Sequence, residues 1–428
     1  MLENTLEPEQ ALLIHTIVHD VNRNKDRAER LAKELDHLAR GAGLLVAQLQ
    51  IVSLAKVHPG TFLGKGRVEM LKEDVKNFGV TVVVFNHALS PIQQRNLELK
   101  LEVKVVDRTG LILEIFASRA RTKEGTLQVE LASLLYQQSR LVRSWTHLER
   151  QRGGVGLRGG PGETQIEVDR RLIREKIVRL KKQLIAVERT RTLQRKSRKD
   201  VPFFTATFVG YTNAGKSTLF NRITASDVYV ADQLFATLDP TMRGVTLPDG
   251  QRVILSDTVG FIRDLPHQLV AAFRATLEEV LTADLLLHVV DLSDPEWQDQ
   301  DESVRKVLGD LGAEDRPMLT LFNKIDCLDD SQIAMVERLQ KRNDALMLSA
   351  ITGEGLDELL NTLSRAARRD FSIFTLNIPA MEGAFLAKLC QNGHVVERSE
   401  VEDRILITVS LSKTISGRLR DELELYKA

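Results

Sequence analysis

Apolar and polar positions alternate along this chain in two recurring ways. Short apolar runs at residues 12–18, 44–51, 80–85 and 103–106 predict strands. Between them, residues 26–38, 68–78 and 91–101 carry Leu, Val and Ile at helical spacing. Strand–helix alternation of this kind predicts a parallel sheet with helices on its faces. Residues 127–141 then read as a helix, a glycine-rich stretch fills 153–162, and 163–196 reads as one long helix. Ile173, Ile177, Leu180, Leu184 and Val187 recur on it at steps of four and three, the spacing of a helix–helix seam. The short glycine stretch predicts that the two helices pair antiparallel, with the loop at their tip. A second strand series follows at 203–209, 242–247, 252–256, 285–291, 318–323 and 345–349. Pro248-Asp249-Gly250 makes the second and third an antiparallel hairpin. The last part predicts a helix at 383–391 and strands at 395–398 and 404–409.

The fold class expected is therefore α/β, in four parts. These are an N-terminal parallel α/β domain (1–120), a coiled-coil-like helical hairpin (121–199), a second α/β domain with a mixed, mostly parallel sheet (200–370), and a small α+β module (371–428). A chain of 428 residues exceeds one core, which agrees with several domains. Hydrophobic residues at 43% and charged residues at 28% are those of an ordinary water-soluble protein. No apolar run reaches membrane-spanning length, and the first thirty residues lack a signal-peptide pattern. Cys327 and Cys390 alone cannot build a disulfide framework, so a reducing cytoplasm is expected.

Chemistry enters at Gly210-Tyr211-Thr212-Asn213-Ala214-Gly215-Lys216-Ser217, a complete phosphate-binding loop between a predicted strand and a predicted helix. Backbone N–H groups of such a loop face anionic oxygens. Lys216 is expected to reach the β- and γ-phosphates, and the Ser217 hydroxyl to ligate Mg2+. Four further segments follow in order over about 140 residues. Phe235-Ala236-Thr237-Leu238-Asp239 offers a hydroxyl to the metal at Thr237, preferred here over Thr241. Asp257-Thr258-Val259-Gly260 supplies a carboxylate that holds Mg2+ through water and an amide, Gly260, for the γ-phosphate. Asn323-Lys324-Ile325-Asp326 places a carboxylate able to accept from guanine N1–H and the 2-amino group, which adenine lacks. Ser349-Ala350-Ile351 donates backbone N–H to guanine O6. The expectation is a GTP hydrolase with Lys216, Thr237 and Gly260 at the reacting phosphate.

After Gly260, where many such domains place a water-orienting glutamine, this chain has Phe261. Slow hydrolysis, completed by a group from a partner or another loop, is the consequence expected. The formal charge of zero conceals a segregation: residues 170–199 hold thirteen basic residues against Glu175 and Glu188, a net of about +11. Such a run can be a plain solvated face. Beside a glycine-rich tip it also fits an RNA phosphate backbone, with Arg152, Arg158, Arg170, Arg171, Arg174 and Arg179 as candidate contacts. The tip itself is either a flexible connector or a finger for a narrow RNA-lined cavity. Gly60-Thr61-Phe62-Leu63-Gly64-Lys65-Gly66 imitates a phosphate loop but is one residue short and lacks the hydroxyl, so no second triphosphate site is expected there.

Asp107-Arg108-Thr109-Gly110-Leu111-Ile112-Leu113, Trp145-Thr146-His147-Leu148-Glu149-Arg150-Gln151 and Gly162-Glu163-Thr164-Gln165, with the phosphate loop and the segments at 235–240 and 257–262, resemble the HflX family. These are bacterial ribosome-associated GTPases of the Obg–HflX-like branch. The resemblance spans roughly residues 10–370 and is weaker beyond. A hydrophobic residue at Phe261 belongs to the family pattern, whereas the second glycine of Gly159-Gly160 is an addition. The resemblance implies a monomeric, Mg2+-dependent GTPase that binds the large (50S) ribosomal subunit, with its N-terminal region at rRNA near the peptidyl-transferase centre. It further implies ribosome splitting or rescue under heat or other stress, a cytoplasmic location with peripheral membrane association in some settings, and no DNA partner. Competing readings are an assembly checkpoint on immature large subunits and a membrane-associated signalling GTPase.

Overall fold

The computed structural model describes residues 9–18, 25–151, 165–196, 203–225, 235, 241–263, 277–329, 339, 342, 344–369, 371–401 and 403–428. The glycine tip at 153–162, Arg152, Arg158 and residues 236–240 lie outside them. The chain divides into two compact units. One holds residues 1–185, 231–238 and 265–273, the other the remainder.

In the first unit, β1 (Gln10–Val18), α1 (Lys25–Gly41), β2 (Leu45–Leu54), α2 (Lys65–Asn77), β3 (Val82–Phe85), α3 (Pro91–Leu101) and β4 (Lys104–Asp107) alternate as expected. Their sheet has the order β2-β1-β3-β4, with every pair parallel. Parallel strands need crossovers, and α1 to α3 supply them. Strand positions of one parity, Leu12, Ile14, Val83, Phe85 and Val105, pack with Val68, Leu71, Leu97 and Leu101 of α2 and α3. Ser90 caps α3 in a capping box with Gln93, and Pro91 follows at the first helical position.

A helix that the periodicity did not separate follows at once: α4 (Arg108–Arg119). Its core, Leu111, Ile112, Leu113, Ile115 and Phe116, is an apolar run broken only by the exposed Glu114, too short for spacing alone to tell it from a buried strand. Asp107 decides the matter. Its Oδ1 accepts from Gly110 N at 2.9 Å, capping the helix. The same carboxylate accepts from Leu89 N at 3.1 Å, from the Tyr136 hydroxyl at 2.6 Å, and from Arg140 Nη2 at 2.6 Å. Tyr136 and Arg140 belong to α5 (Lys123–Gln151), longer at both ends than the 127–141 expected. One buried carboxylate thus fastens the hairpin's first arm to the end of β4. α6 (Gln165–Lys196) is the second arm. Its seam residues Ile173, Ile177, Leu180 and Leu184 pack with Leu131 and Leu134 of α5, while Arg171, Arg174 and Arg179 are exposed.

The second unit holds a six-stranded sheet of order β10-β9-β8-β5-β7-β6. Its members are β5 (Phe204–Gly210), β6 (Thr241–Thr246), β7 (Arg252–Asp257), β8 (Leu285–Asp291), β9 (Met318–Asn323) and β10 (Ala345–Met347). All pairs are parallel except β6 with β7, the hairpin predicted from Pro248-Asp249-Gly250. Among the described residues, the helices that accompany it are α7 (Lys216–Thr224), α8 (Glu278–Thr282), α9 (Trp297–Leu311) and α10 (Leu356–Arg369). Leu219 and Phe220 of α7 and Leu359 and Leu363 of α10 join Phe208, Leu255, Leu287 and Leu321 of the strands in one core. A separate three-stranded antiparallel sheet, β11-β13-β12, closes the chain. Here β11 (Phe371–Pro379) is a strand that was not anticipated, although its inward positions Leu376 and Ile378 keep the period of two. β12 (His394–Val401) and β13 (Arg404–Ser412) are longer than expected, and α11 (Gly383–Asn392) covers them. Among the described residues, no helix is long and apolar enough to cross a membrane.

Candidate nucleotide site

β5 ends at Gly210 and α7 begins at Lys216, so the five residues between them carry the phosphate loop at the C-terminal edge of the sheet. Gly215 has φ +94°, and a Cβ there would sit 2.2 Å from Asn323 Nδ2, so only glycine fits. Lys216 is buried, and its Nζ donates to Gly210 O at 3.1 Å and Tyr211 O at 2.7 Å. Burial lowers its pKa to about 8, against the pull of the Asp257 carboxylate. A buried ammonium whose acceptors are two backbone carbonyls can exchange them for phosphate oxygens.

Ser217 Oγ donates to Asp257 Oδ2 at 2.6 Å, joining the start of α7 to the end of β7. Asp257 is fully buried. A hydroxyl beside a buried carboxylate is a hard oxygen donor pair, and it fits Mg2+ completed by phosphate oxygens and water. Thr258 Oγ1 donates to Phe208 O at 2.6 Å, and Val259 is buried. Phe261 is a packed aromatic, 1% exposed. Its backbone extends β5: Phe261 N donates to Gly210 O at 3.0 Å, and Thr212 N donates to Phe261 O at 2.8 Å. This bridge sets Gly260 beside Thr212 and the Lys216 ammonium. The Tyr211 hydroxyl accepts from Arg263 N at 3.0 Å, closing a second tie between the two loops.

Asn323 joins this half of the site to the other. Its Nδ2 donates to Ala214 O at 2.8 Å, and its Oδ1 accepts from Ala350 N at 2.9 Å. Lys324, at φ +66°, sends Nζ to Asp291 Oδ2 at 2.7 Å. Ile325 lies in a short 3-10 turn, with its N–H toward Leu348 O. Asp326 is exposed at the surface, and a hydrogen bond from Ser349 holds its carboxyl below the usual range. Four of the five segments therefore converge. Of the fifth, only Phe235 is among the described residues; it packs edge-on against Phe116 at 4.7 Å and is buried, so its ring is taken up by packing rather than left for a base. Ala236, Thr237, Leu238 and Asp239 lie outside the described residues. Arg222, which spacing did not single out, also reaches the base loop: Nη1 donates to Ala350 O at 3.3 Å and to Ile351 O, and Nη2 to Thr352 O at 2.8 Å. Its acceptors lie some 130 residues away in sequence, so no local signal marks it.

Similarity to known proteins covers the chain in four matched segments. Residues 29–117 match the model "GTP-binding GTPase N-terminal", and 119–198 match "GTP-binding GTPase Middle Region". Residues 205–324 match "50S ribosome-binding GTPase", and 334–426 match "HflX C-terminal domain", which carries the resemblance through the final module. GTPase HflX of Magnetococcus marinus is 59% identical over 424 residues, covering 99% of this chain and 97% of the relative. GTPase HflX of Escherichia coli K12 is 49% identical over 385 residues, covering 90% and 88%. A solved GTP-binding protein from Sulfolobus solfataricus, in complex with GDP, is 24% identical with a TM-score of 0.45, covering 84% of this chain and 99% of that one. On the strength of the matches to the two GTPase HflX relatives, the chain belongs to the GTPase HflX family.

Proposed function

We propose that this chain is a Mg2+-dependent GTP hydrolase that binds the large ribosomal subunit and uses its GTP-bound state to split or rescue ribosomes. The observation that carries the guanine reading is the double role of Asn323, which ties the phosphate loop at Ala214 to the base loop at Ala350. Asp326, three residues on, then takes guanine N1–H and the 2-amino group. Amides of Gly210 to Ser217 surround the phosphates, Lys216 bridges the β- and γ-phosphates, and the Gly260 amide meets the γ-phosphate. Ser217 and Thr237 would hold Mg2+, with Asp257 holding it through water, and charge on the phosphate oxygens would be neutralised there.

Phe261 is apolar and buried, so it cannot aim the attacking water. The group that does so comes from the ribosome, and turnover is slow without it. Binding rests on the basic arm: Arg171, Arg174 and Arg179 are exposed on α6, with Arg170 beside them. Arg152 precedes and Arg158 lies within the glycine tip, which reaches rRNA near the peptidyl-transferase centre. The match of 205–324 to a 50S ribosome-binding GTPase supports that partner. The protein works as a monomer in the cytoplasm, with peripheral membrane contact as a secondary habit. Its four parts (1–120, 121–199, 200–370 and 371–428) divide the labour between ribosome contact and nucleotide switch.

Sedimentation of joined ribosomes tests this. With a non-hydrolysable GTP analogue, the joined particle should disappear in favour of free subunits. Binding to large subunits with the joined particle intact would instead indicate an assembly checkpoint.

A further inference from the structure

The base loop is gripped from behind. Arg222 is the seventh residue of α7, the helix that opens at Lys216. Its guanidinium collects three successive carbonyls, those of Ala350, Ile351 and Thr352. Gly353, at φ +93°, stands so close that a Cβ there would meet Arg222 Nη2 at 2.6 Å.

Within a planar trans peptide, C=O and N–H point in opposite directions. Turning three carbonyls toward Arg222 therefore turns the N–H groups of Ile351, Thr352 and Gly353 the other way. Two of those N–H groups have acceptors: Thr352 N donates to Ser349 Oγ at 3.0 Å and Gly353 N to Ser349 O at 2.9 Å. Of the neighbouring amides, Ser349 N donates to Glu354 O at 3.0 Å and Ala350 N to Asn323 Oδ1 at 2.9 Å. The Ile351 N–H has no such acceptor among the described residues.

We propose that Arg222 is a specificity-positioning residue, which by holding the Ala350, Ile351 and Thr352 carbonyls aims the Ile351 N–H at guanine O6. The inference rests on the guanine reading above and assigns the O6 half of recognition, as distinct from the N1 and 2-amino half read by Asp326. Charge-assisted hydrogen bonds are the strong ones and a planar fork suits several oxygens at once, so lysine is an incomplete substitute. The helix that cradles the phosphates also sets the base loop, so the two ends of the nucleotide are registered by one element.

Equilibrium binding of GDP, 6-thio-GDP and IDP tests this on the full-length protein and its Arg222→Ala and Arg222→Lys variants. Sulfur at position 6 is a weak acceptor, whereas IDP lacks only the 2-amino group. Arg222→Ala should weaken GDP binding by about tenfold, the low end for hydrogen bonds to a charged but exposed group. The preference for GDP over 6-thio-GDP should shrink by the same factor, the preference for GDP over IDP should persist, and kcat at saturating GTP should hold while KM rises. Arg222→Lys should fall between. An unchanged preference over 6-thio-GDP in both variants would overturn the proposal, and so would equal losses for all three nucleotides. If the wild-type protein itself fails to prefer GDP over IDP, the guanine reading fails first, and the two outcomes are distinguishable. Should Arg222→Ala not fold, Arg222→Lys carries the same comparison.

Discussion

Ser217 Oγ lies 2.6 Å from Asp257 Oδ2, so one hydrogen bond joins the start of the first helix after the phosphate loop to the carboxylate expected at the metal. The hydroxyl donates its proton to a carboxylate that is fully buried. With Mg2+ bound, the Ser217 hydroxyl oxygen would serve as a ligand, and Asp257 would hold the ion through water. Ser217→Ala and Asp257→Asn should each reduce the tightening of GTP binding by Mg2+ by at least about tenfold. Titration of GTP affinity against Mg2+ measures it. Equal Mg2+ dependence in wild type and both variants would remove these residues from the metal site.

Asp326 is exposed, and a bond from Ser349 keeps it ionised, so it is ready to accept from two donors of one base edge. Asp326→Asn replaces an acceptor by a donor–acceptor pair. GTP affinity should fall by about a hundredfold or more, because the two donors of the guanine edge lose their shared charged acceptor. Xanthosine triphosphate, which carries a carbonyl at position 2, should gain in the same variant. Competition binding with the two nucleotides reports both changes, and loss of GTP without the gain would argue that the variant is merely damaged.

Asp107 fixes the hairpin to the first unit through Tyr136 and Arg140. Burial and the neighbouring carboxylate push the Tyr136 hydroxyl well above its ordinary pKa, so it remains a donor at any physiological pH. Asp107→Asn leaves Arg140 facing a neutral amide. A loss of about 2 kcal/mol is expected, discounted because Arg140 keeps some access to water. Hydrogen exchange should accelerate in α5 near 136–140 while α3 is spared. Uniform protection equal to wild type would show that the tie is not structural.

His288 is buried in β8, with Nδ1 3.3 Å from Asp301 Oδ1. Burial lowers its pKa to about 4, and the neighbouring Asp301 carboxylate only partly opposes this. Unfolded chain binds that proton near the ordinary value of 6.5, so the stability is present above 6.5 and is lost as pH falls towards 4. Between pH 7 and 5 this one group costs about 2 kcal/mol. Acid titration of the nucleotide-sensitive unfolding transition should show it, and His288→Leu should flatten the curve. An equally steep curve in the variant would place the pH dependence elsewhere.

Much of the fold and of the site is legible in the sequence. The parallel sheets follow from apolar runs at 12–18 and 285–291, buried on both faces and so free of alternation. The phosphate loop and the Asn323 to Asp326 segment were readable because each demands fixed residue types at fixed spacing. α4 was not, since its short run from Leu111 to Phe116 is interrupted only at Glu114 and only the Asp107 cap separates it from β4. Arg222 escaped for a different reason: its acceptors are backbone carbonyls, which leave no mark in side-chain identity. Phe235 was assigned to the nucleotide by its position in sequence, whereas its ring is spent on Phe116.

GTP turnover by the purified protein, alone and with purified large ribosomal subunits, tests the central claim most directly. A buried phenylalanine at 261 predicts slow turnover alone and an increase of at least about tenfold with subunits. Replacing Arg170, Arg171, Arg174 and Arg179 together should remove the increase and leave the slow rate. Fast turnover by the protein alone, unchanged by subunits, would contradict the account.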